Sequence, residues 1–453
     1  MKLISPTDSM FLIGESREHP MHVASLQLFK PPEDAGPEFV RDMYETIVKN
    51  DDFQPTFREH PGRILGGIST VTWAFDDDVD IDYHLRRSAL PRPGRVRDLL
   101  GLTSRLHGTL LDRHRPLWEA SLIEGLEDGR FAVYTKIHHS LLDGVSAQRL
   151  TIRSMTSDPD DRNMRIPWTL GPKAKSRGGE SRSTLQAITG TVGSLASLAP
   201  SGLAVARAAL VEQQLTLPFR APKTMFNVPI GGARRAAAQS WPLARIRAVK
   251  SAAGVTVNDV VLAMCSGALR AYLIEHDALP DAPLVAMVPV SLRGEGEQDA
   301  GGNMVGTILC NLATDIEDPA VRLDAIGTSM RDNKKVFAEL PKNQALALSA
   351  FLMSGIALGL VPGFVSSAPP PFNIVISNVP GAREPLYWNG ARLDGNYPLS
   401  IALDGQALNI TMTNNADNLD FGLVGCRRSV PHLQRLLMHL EDSLAGLEKA
   451  TGV

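Results

Sequence analysis

The sequence predicts an α/β chain in two parts, joined by a basic, helical linker. Three observations carry this. At 453 residues the chain exceeds what one ordinary core organises, so two domains, or three, are expected. Short β-rich runs alternate with amphipathic helical runs both before residue 160 and after residue 222. Between them, from Pro159 to about Arg182, periodicity gives way to Pro, Gly, Lys and Arg. The expected boundaries are 1–160, a linker over 161–222, and 223–453.

In chain order, residues 6–15 read as a short helix capped by Thr7 or Asp8. His22 to Phe29 is a strand, 37–50 a helix, and Leu65 to Trp73 a strand followed by the acidic loop Asp76–Asp82. That loop lacks the glycine of a calcium-binding pattern and reads as a solvated surface. Leu99, Leu102, Leu106 and Leu110 recur at helical spacing in a helix over Val96–Leu111. Trp118–Ile123 and Phe131–Ile137 are strands joined by the hairpin-like Glu124–Gly129, and Val145–Met155 is a helix. Residues 184–217 show helical spacing, as a linker packed across both halves or as a membrane-surface segment. Beyond Pro222, helices are expected over 243–253, 257–276, 319–338, 342–360 and 430–447. Strands are expected over 284–290, 304–312, 373–377, 400–403, 408–413 and 421–424.

Composition is that of a globular chain, with 43% hydrophobic and 21% charged residues. Cys265, Cys310 and Cys426 lie far apart, with no metal-ligand spacing, and an odd count argues against a disulfide framework, pointing to a reducing compartment. The opening residues hold no apolar run of signal-peptide length. The most apolar stretch, roughly 343–365, is interrupted by Ser349, Ser354, Gly355, Gly359, Pro362 and Gly363, which suits buried helices better than a membrane span. Net charge is −3 but uneven: Arg162 to Lys250 holds fourteen basic and two acidic residues, a balance of +12. Such a segment is either a solvated linker or a surface for an anionic partner, a phosphorylated cofactor or lipid. Nothing in it resembles a nucleic-acid motif, so no nucleic-acid partner is expected.

The chemistry concentrates at His138-His139-Ser140-Leu141-Leu142-Asp143-Gly144, where a strand ends and a helix begins. Successive side chains on extended backbone face opposite ways, so the two imidazoles cannot easily share a metal, and no metal site is expected. One should face a cleft as a general base and the other should face structure. Asp143 either orients the base or locks the loop, and Gly144 is expected to permit a turn with positive φ. Ser140 is not in a nucleophile elbow, and the cysteines look like core residues. A base without an enzyme nucleophile implies direct attack by a substrate hydroxyl or amine in a ternary complex.

The seven residues match the HHxxxDG motif of the CoA-dependent acyltransferase superfamily. Pro6-Thr-Asp8 with Met10-Phe-Leu12, Pro20-Met-His-Val23, Pro116-Leu-Trp-Glu119, Asn258-Asp259, Pro289-Val-Ser-Leu-Arg293 with Gly302-Asn303, and Ser377-Asn-Val-Pro-Gly381 run in order along the chain. Together they resemble the bacterial wax ester synthase/diacylglycerol acyltransferase family over essentially the whole chain. The resemblance implies two chloramphenicol-acetyltransferase-like domains joined by a helical linker, with the active site in a tunnel at their interface. It implies acyl-CoA as co-substrate with no permanently bound cofactor, and diacylglycerol or a long-chain alcohol as acceptor. It also implies peripheral contact with the inner membrane or lipid droplets from the cytoplasm. In that frame His139 is the general base, and His138 and Asp143 are orienting and structural. Arg293 would pair with Asp143, and Asn258, at a helix start beside the Thr256–Asp259 capping box, would position the base or stabilise the oxyanion. Pro116, Leu117, Trp118, Ser377, Asn378, Pro380 and Gly381 either shape the tunnel or simply pack. The same fold could serve a small or carrier-bound acceptor, or a catalytically silent lipid-binding module.

Overall fold

The computed structural model describes residues 2–64, 67–171, 216–291, 305–340, 344–345, 348–349, 351–353 and 363–453. Most of the basic linker, Arg293, Gly302, Asn303 and much of the helix expected over 342–360 lie outside the described residues.

Two six-stranded sheets dominate. The first is built mainly from β2 (His22–Lys30), β5 (Leu85–Ala89), β6 (Trp118–Glu124) and β7 (Phe131–His138). The second contains β8 (Arg234–Pro242), β9 (Val285–Ser291), β10 (Val305–Asn311), β11 (Ile374–Ala382), β14 (Leu408–Asn415) and β15 (Asn418–Cys426). Most neighbouring pairs are antiparallel; β5–β6, β11–β14 and β11–β9 are parallel. A small third sheet joins β1 (Lys2–Leu3), β3 (Glu59–Ile64) and β4 (Gly67–Phe75).

The first sheet is completed from the far end of the chain. β12 (Tyr387–Trp388) and β13 (Ala391–Leu399) extend its edge, giving the order β12-β13-β2-β7-β6-β5. β13 pairs antiparallel with β2, from Arg392↔Lys30 to Leu399↔Ala24. To get there it passes close over β15. A Cβ on Gly422 would collide with the Pro398 carbonyl oxygen, so the crossing needs a glycine. Leu393 and Leu399 are buried, each contributing about 1.5–3 kcal/mol of apolar burial. Trp388, Ala391 and Leu393 join the core of Phe29, Trp118, Leu122 and Phe131.

The helices follow from their sequences. α1 (Pro6–Gly14) is capped by Ser5, whose hydroxyl accepts the Asp8 N–H, and not by Thr7 or Asp8. α2 is Phe39–Val48, α3 Ile81–His84 with Asp80 as its cap, and α4 Val96–His107, shorter than expected because Gly108 ends it. α5 (Gly144–Arg153) packs on β11, bridging the two sheet systems. α6 (Leu243–Ala253) ends on the left-handed Gly254, and α7 (Val257–Glu275) opens with the expected capping box between Thr256 and Asp259. Among the described residues α7 alone is long and apolar enough to cross a membrane, yet 67% of its apolar window is buried in the fold. α8 (Pro319–Glu339), the short α9 (Phe364–Ser367) and α10 (Arg435–Thr451) complete the described helices, and α10 packs along α7.

Besides the two-residue β1 and β12, four strands escape the sequence pattern, and one expected strand is absent. β8 is rich in Arg and Ala, poor strand formers held here by pairing with β15. β3 and β5 are short, and β13 carries Gly395 at a register shift and Pro398, both of which read as breakers. The strand expected at 400–403 is instead the loop following β13, because the preceding residues take the sheet's hydrogen bonds.

Candidate active site

β7 ends at His138, and His139 is the first residue beyond it. His138 lies opposite His22 of β2 in the ladder. The turn is fixed by main-chain bonds: His138 N–H donates to Leu117 O at 2.9 Å and His139 N–H to Met21 O at 2.8 Å. Both acceptors belong to motifs flagged in the sequence, Pro116-Leu-Trp and Pro20-Met-His. Their contribution is to hold the strand end.

The two imidazoles part as the strand geometry requires. His138 is fully buried. Its Nδ1 lies 2.6 Å from Ser140 Oγ and accepts the Ser140 N–H at 3.2 Å. Its Nε2 lies 3.4 Å from Glu15 Oε1. Ser140, His138 and Glu15 thus have the composition of a catalytic triad, but Ser140 is buried and off the cavity wall, so its hydroxyl meets no substrate.

His139 faces the cavity. Its ring stacks on Phe11, with centroids 4.1 Å apart and an interplanar angle of 19°. Burial lowers its pKa, the Asp143 carboxylate opposes this, and His138 adds to the lowering, leaving a value of about 4. The imidazole is therefore neutral at pH 7, the form a general base needs.

Asp143 is the N-cap of α5; its Oδ1 accepts the Ser146 N–H at 2.7 Å. Gly144 is the first residue of that helix and does not have the expected positive φ. The turn before α5 is made by the extended cap residue, which any L-residue can adopt. Gly144 lines the cavity, and a Cβ there would meet nothing within 4 Å.

The cavity occupies about 780 Å³, within the range of ligand sites. Residues before 160 supply an apolar lobe reaching the core: Phe29, Ile47, Phe57, Leu85, Trp118 and Leu122. Residues after 280 supply the opposite wall, including Met287, Pro289, Val375 and Ser377, with the polar Thr307, Asn409 and Thr411.

Of the other residues singled out in sequence, Trp118 and Ser377 line the cavity. Pro116, Leu117, Asn378, Pro380 and Gly381 do not. Leu117 packs with Ile4, Leu12, Trp73 and Leu111 beneath α1, and Gly381 lets β11 approach β14, where a Cβ would strike the Asn414 backbone. Asn258 is the second residue of α7, half-buried and off the cavity wall. Arg293, the expected partner of Asp143, lies outside the described residues. Cys265, Cys310 and Cys426 are buried, and burial pushes the Cys265 and Cys310 thiols up to about 12.

Sequence reasoning missed Glu15 and Arg113, and assigned Phe11 no role. The Glu15 side chain is 1% exposed. It accepts from Arg113 Nε at 2.8 Å and from the Met21 N–H at 3.2 Å. Burial pushes its carboxyl up, but His138 and Arg113 outweigh this and hold it below the ordinary glutamate value. The only signal was positional: Phe11 and Glu15 are four residues apart at the end of one helix, and so share a face.

Comparison with known proteins agrees over the whole length. The wax ester synthase/diacylglycerol acyltransferase catalytic domain matches residues 4–261, and the C-terminal domain of the same family matches 301–448. The chain is 66% identical over 454 residues to a probable diacylglycerol O-acyltransferase of Mycobacterium tuberculosis, covering 100% of both. It is 40% identical to the solved wax ester synthase/diacylglycerol acyltransferase of Marinobacter aquaeolei VT8, with a TM-score of 0.81 and 100% of each chain covered. A starter condensation domain of rhizomide synthetase, solved with C8-CoA, shares the fold at 12% identity and a TM-score of 0.57, over 100% of this chain and 95% of that one.

Proposed function

The chain belongs to the wax ester synthase/diacylglycerol acyltransferase family, and on that premise we propose that it transfers a long-chain acyl group from acyl-CoA to diacylglycerol or a long-chain alcohol, with His139 as general base. One observation carries the assignment of the base: His139 stands on the wall of an apolar cavity contributed by both parts of the chain, where burial favours its neutral form. Both a fatty acyl chain and a long-chain acceptor gain by leaving water for such a space.

In this mechanism His139 takes the acceptor's hydroxyl proton as its oxygen attacks the thioester carbonyl. The tetrahedral intermediate collapses with cleavage of the C–S bond, and the departing CoA thiolate recovers the proton from His139. The products are an ester and free CoA, with no acyl-enzyme. His138 and Asp143 act by holding the turn and the helix on either side of the base. The division at 1–160, 161–222 and 223–453 serves the reading by placing the base in the first part and the opposing wall in the last.

Contact with a membrane or lipid droplet follows from an acceptor and product that water does not dissolve. Leu3, just before α1, and Ile13, on α1, support it: they are 73% and 68% exposed, and Phe11 and Met10 of the same helix line the cavity. The basic linker would meet either CoA phosphates or anionic lipid.

The test is the purified protein with palmitoyl-CoA and either hexadecanol or diolein. Release of CoA with neutral-lipid formation is expected, and His139→Ala should abolish turnover while the circular-dichroism spectrum is kept. Turnover only with carrier-bound acceptors would overturn the assigned acceptor. Near-native activity in His139→Ala would overturn the base.

A further inference from the structure

The two motif histidines are held from one side by one short helix. α1 places Phe11 against the His139 ring and, four residues on, Glu15 beside His138 Nε2. The Glu15 N–H donates to Phe11 O at 3.1 Å, so the two contacts are joined through the last turn of that helix. Arg113 closes the end: its Nη2 donates to Leu12 O at 2.7 Å while its Nε binds Glu15, satisfying carbonyls a helix C-terminus leaves free.

The hydrogen bonds also decide where the His138 proton sits. The Ser140 main-chain N–H, which can only donate, lies 3.2 Å from Nδ1, and the Ser140 hydroxyl at 2.6 Å can donate as well, so an unprotonated Nδ1 satisfies both contacts. A neutral ring then bears its proton on Nε2, 3.4 Å from the buried Glu15 carboxylate oxygen, an electrostatic contact longer than a normal hydrogen bond. Without the carboxylate the buried Nε2–H would lose the opposing charge beside it, and protonation at Nδ1 would break the Ser140 main-chain bond. Either change releases the turn that aims His139.

We infer that Glu15, held by Arg113, is a positioning residue for the acyl transfer: it fixes the Nε2-protonated tautomer of His138 and through it the direction of His139. The inference rests on His139 being the base of the reaction proposed above. Glu15 touches no reacting atom. Its effect therefore falls on turnover and not on substrate affinity, because a misdirected base costs rate at unchanged binding.

The test joins kinetics to a measurement that needs no activity. Glu15→Ala should lower kcat about 100-fold with KM for acyl-CoA changed less than about threefold. Glu15→Gln keeps a carbonyl oxygen as acceptor and should retain kcat within about tenfold of the wild type. In protein carrying ¹⁵N-labelled histidine, the His138 ring, assigned by its loss in His138→Asn, should show an unprotonated Nδ1 and a protonated Nε2. A protonated Nδ1 in the wild type would overturn the inference, as would a folded Glu15→Ala with native kcat. So would a folded Glu15→Gln as impaired in kcat as Glu15→Ala. If Glu15→Ala fails to fold, the wild-type spectrum and Glu15→Gln still decide it. A wild type that forms no ester defeats the parent reading, and the ring spectrum still judges Glu15 separately.

Discussion

The carboxylate of Asp143 accepts the main-chain N–H of Ser146 at 2.7 Å, and α5 begins there. The motif aspartate is thus a helix cap as well as a charge that acts on His139. Asp143→Ala should cost about 0.5–2 kcal/mol and lower the melting temperature, whereas Asp143→Ser or Asp143→Asn should recover most of that loss. An unchanged melting temperature in the alanine variant would refute the capping role.

The second prediction concerns pH. With a pKa of about 4, His139 remains deprotonated throughout the range in which an ordinary histidine titrates. The base form dominates above the pKa and is lost only as pH falls through it. kcat/KM should stay level from pH 8 down to about 5, with no inflection near 6.5, then fall towards tenfold per unit below about 4. A half-loss near 6.5, measured by initial rates with stability checked at each pH, would show the ring to be solvated.

Gly144 offers a separation of stability from activity. Because its φ is ordinary and a Cβ meets nothing, Gly144→Ala should leave stability unchanged or raise it by about 0.4–1 kcal/mol. Gly144→Leu should fold but project into the cavity, so KM for the long-chain substrates should rise. A destabilised alanine variant by thermal melting would restore the requirement for an unusual backbone.

Gly422 predicts the opposite pattern, far from the base. Its missing side chain is what lets β13 cross β15 on the way to β2. Gly422→Ala should destabilise by about 1–3 kcal/mol and raise sensitivity to proteolysis near residues 387–399. A native denaturation midpoint would mean the crossing has slack.

Much of the fold was legible because local patterns carried it. Helices α4 and α7 announced themselves by apolar spacing and, for α7, by its capping box. The ladders β6–β7 and β14–β15 showed in their β-rich runs. The strand ending at His138 and the helix starting at Gly144 could be read directly, and strand alternation already separated the roles of the two histidines. What local pattern could not show was long-range pairing. β13 has Gly395 and Pro398 within it and becomes a strand only because β2 offers an edge 371 residues away, as the Ser25–Asn396 hydrogen bond records.

By itself, then, the sequence carried the elements of the proposed chemistry: an imidazole at a strand end, a serine beside it outside any nucleophile elbow, and a chain long enough to surround an apolar substrate. Tertiary structure alone decided that Glu15 and Arg113 stand behind His138, that Phe11 lies flat on His139, and that Gly144 is an open place in the wall. It also set apart Trp118 and Ser377, which line the cavity, from Leu117 and Gly381, which only pack. The physical reason is common to all of these. Residue type and spacing report the forces within one strand or one turn of helix. Burial, which moves the pKa of His139, and the Arg113 contact that helps keep Glu15 ionised beside His138, exist only once distant segments close around the site.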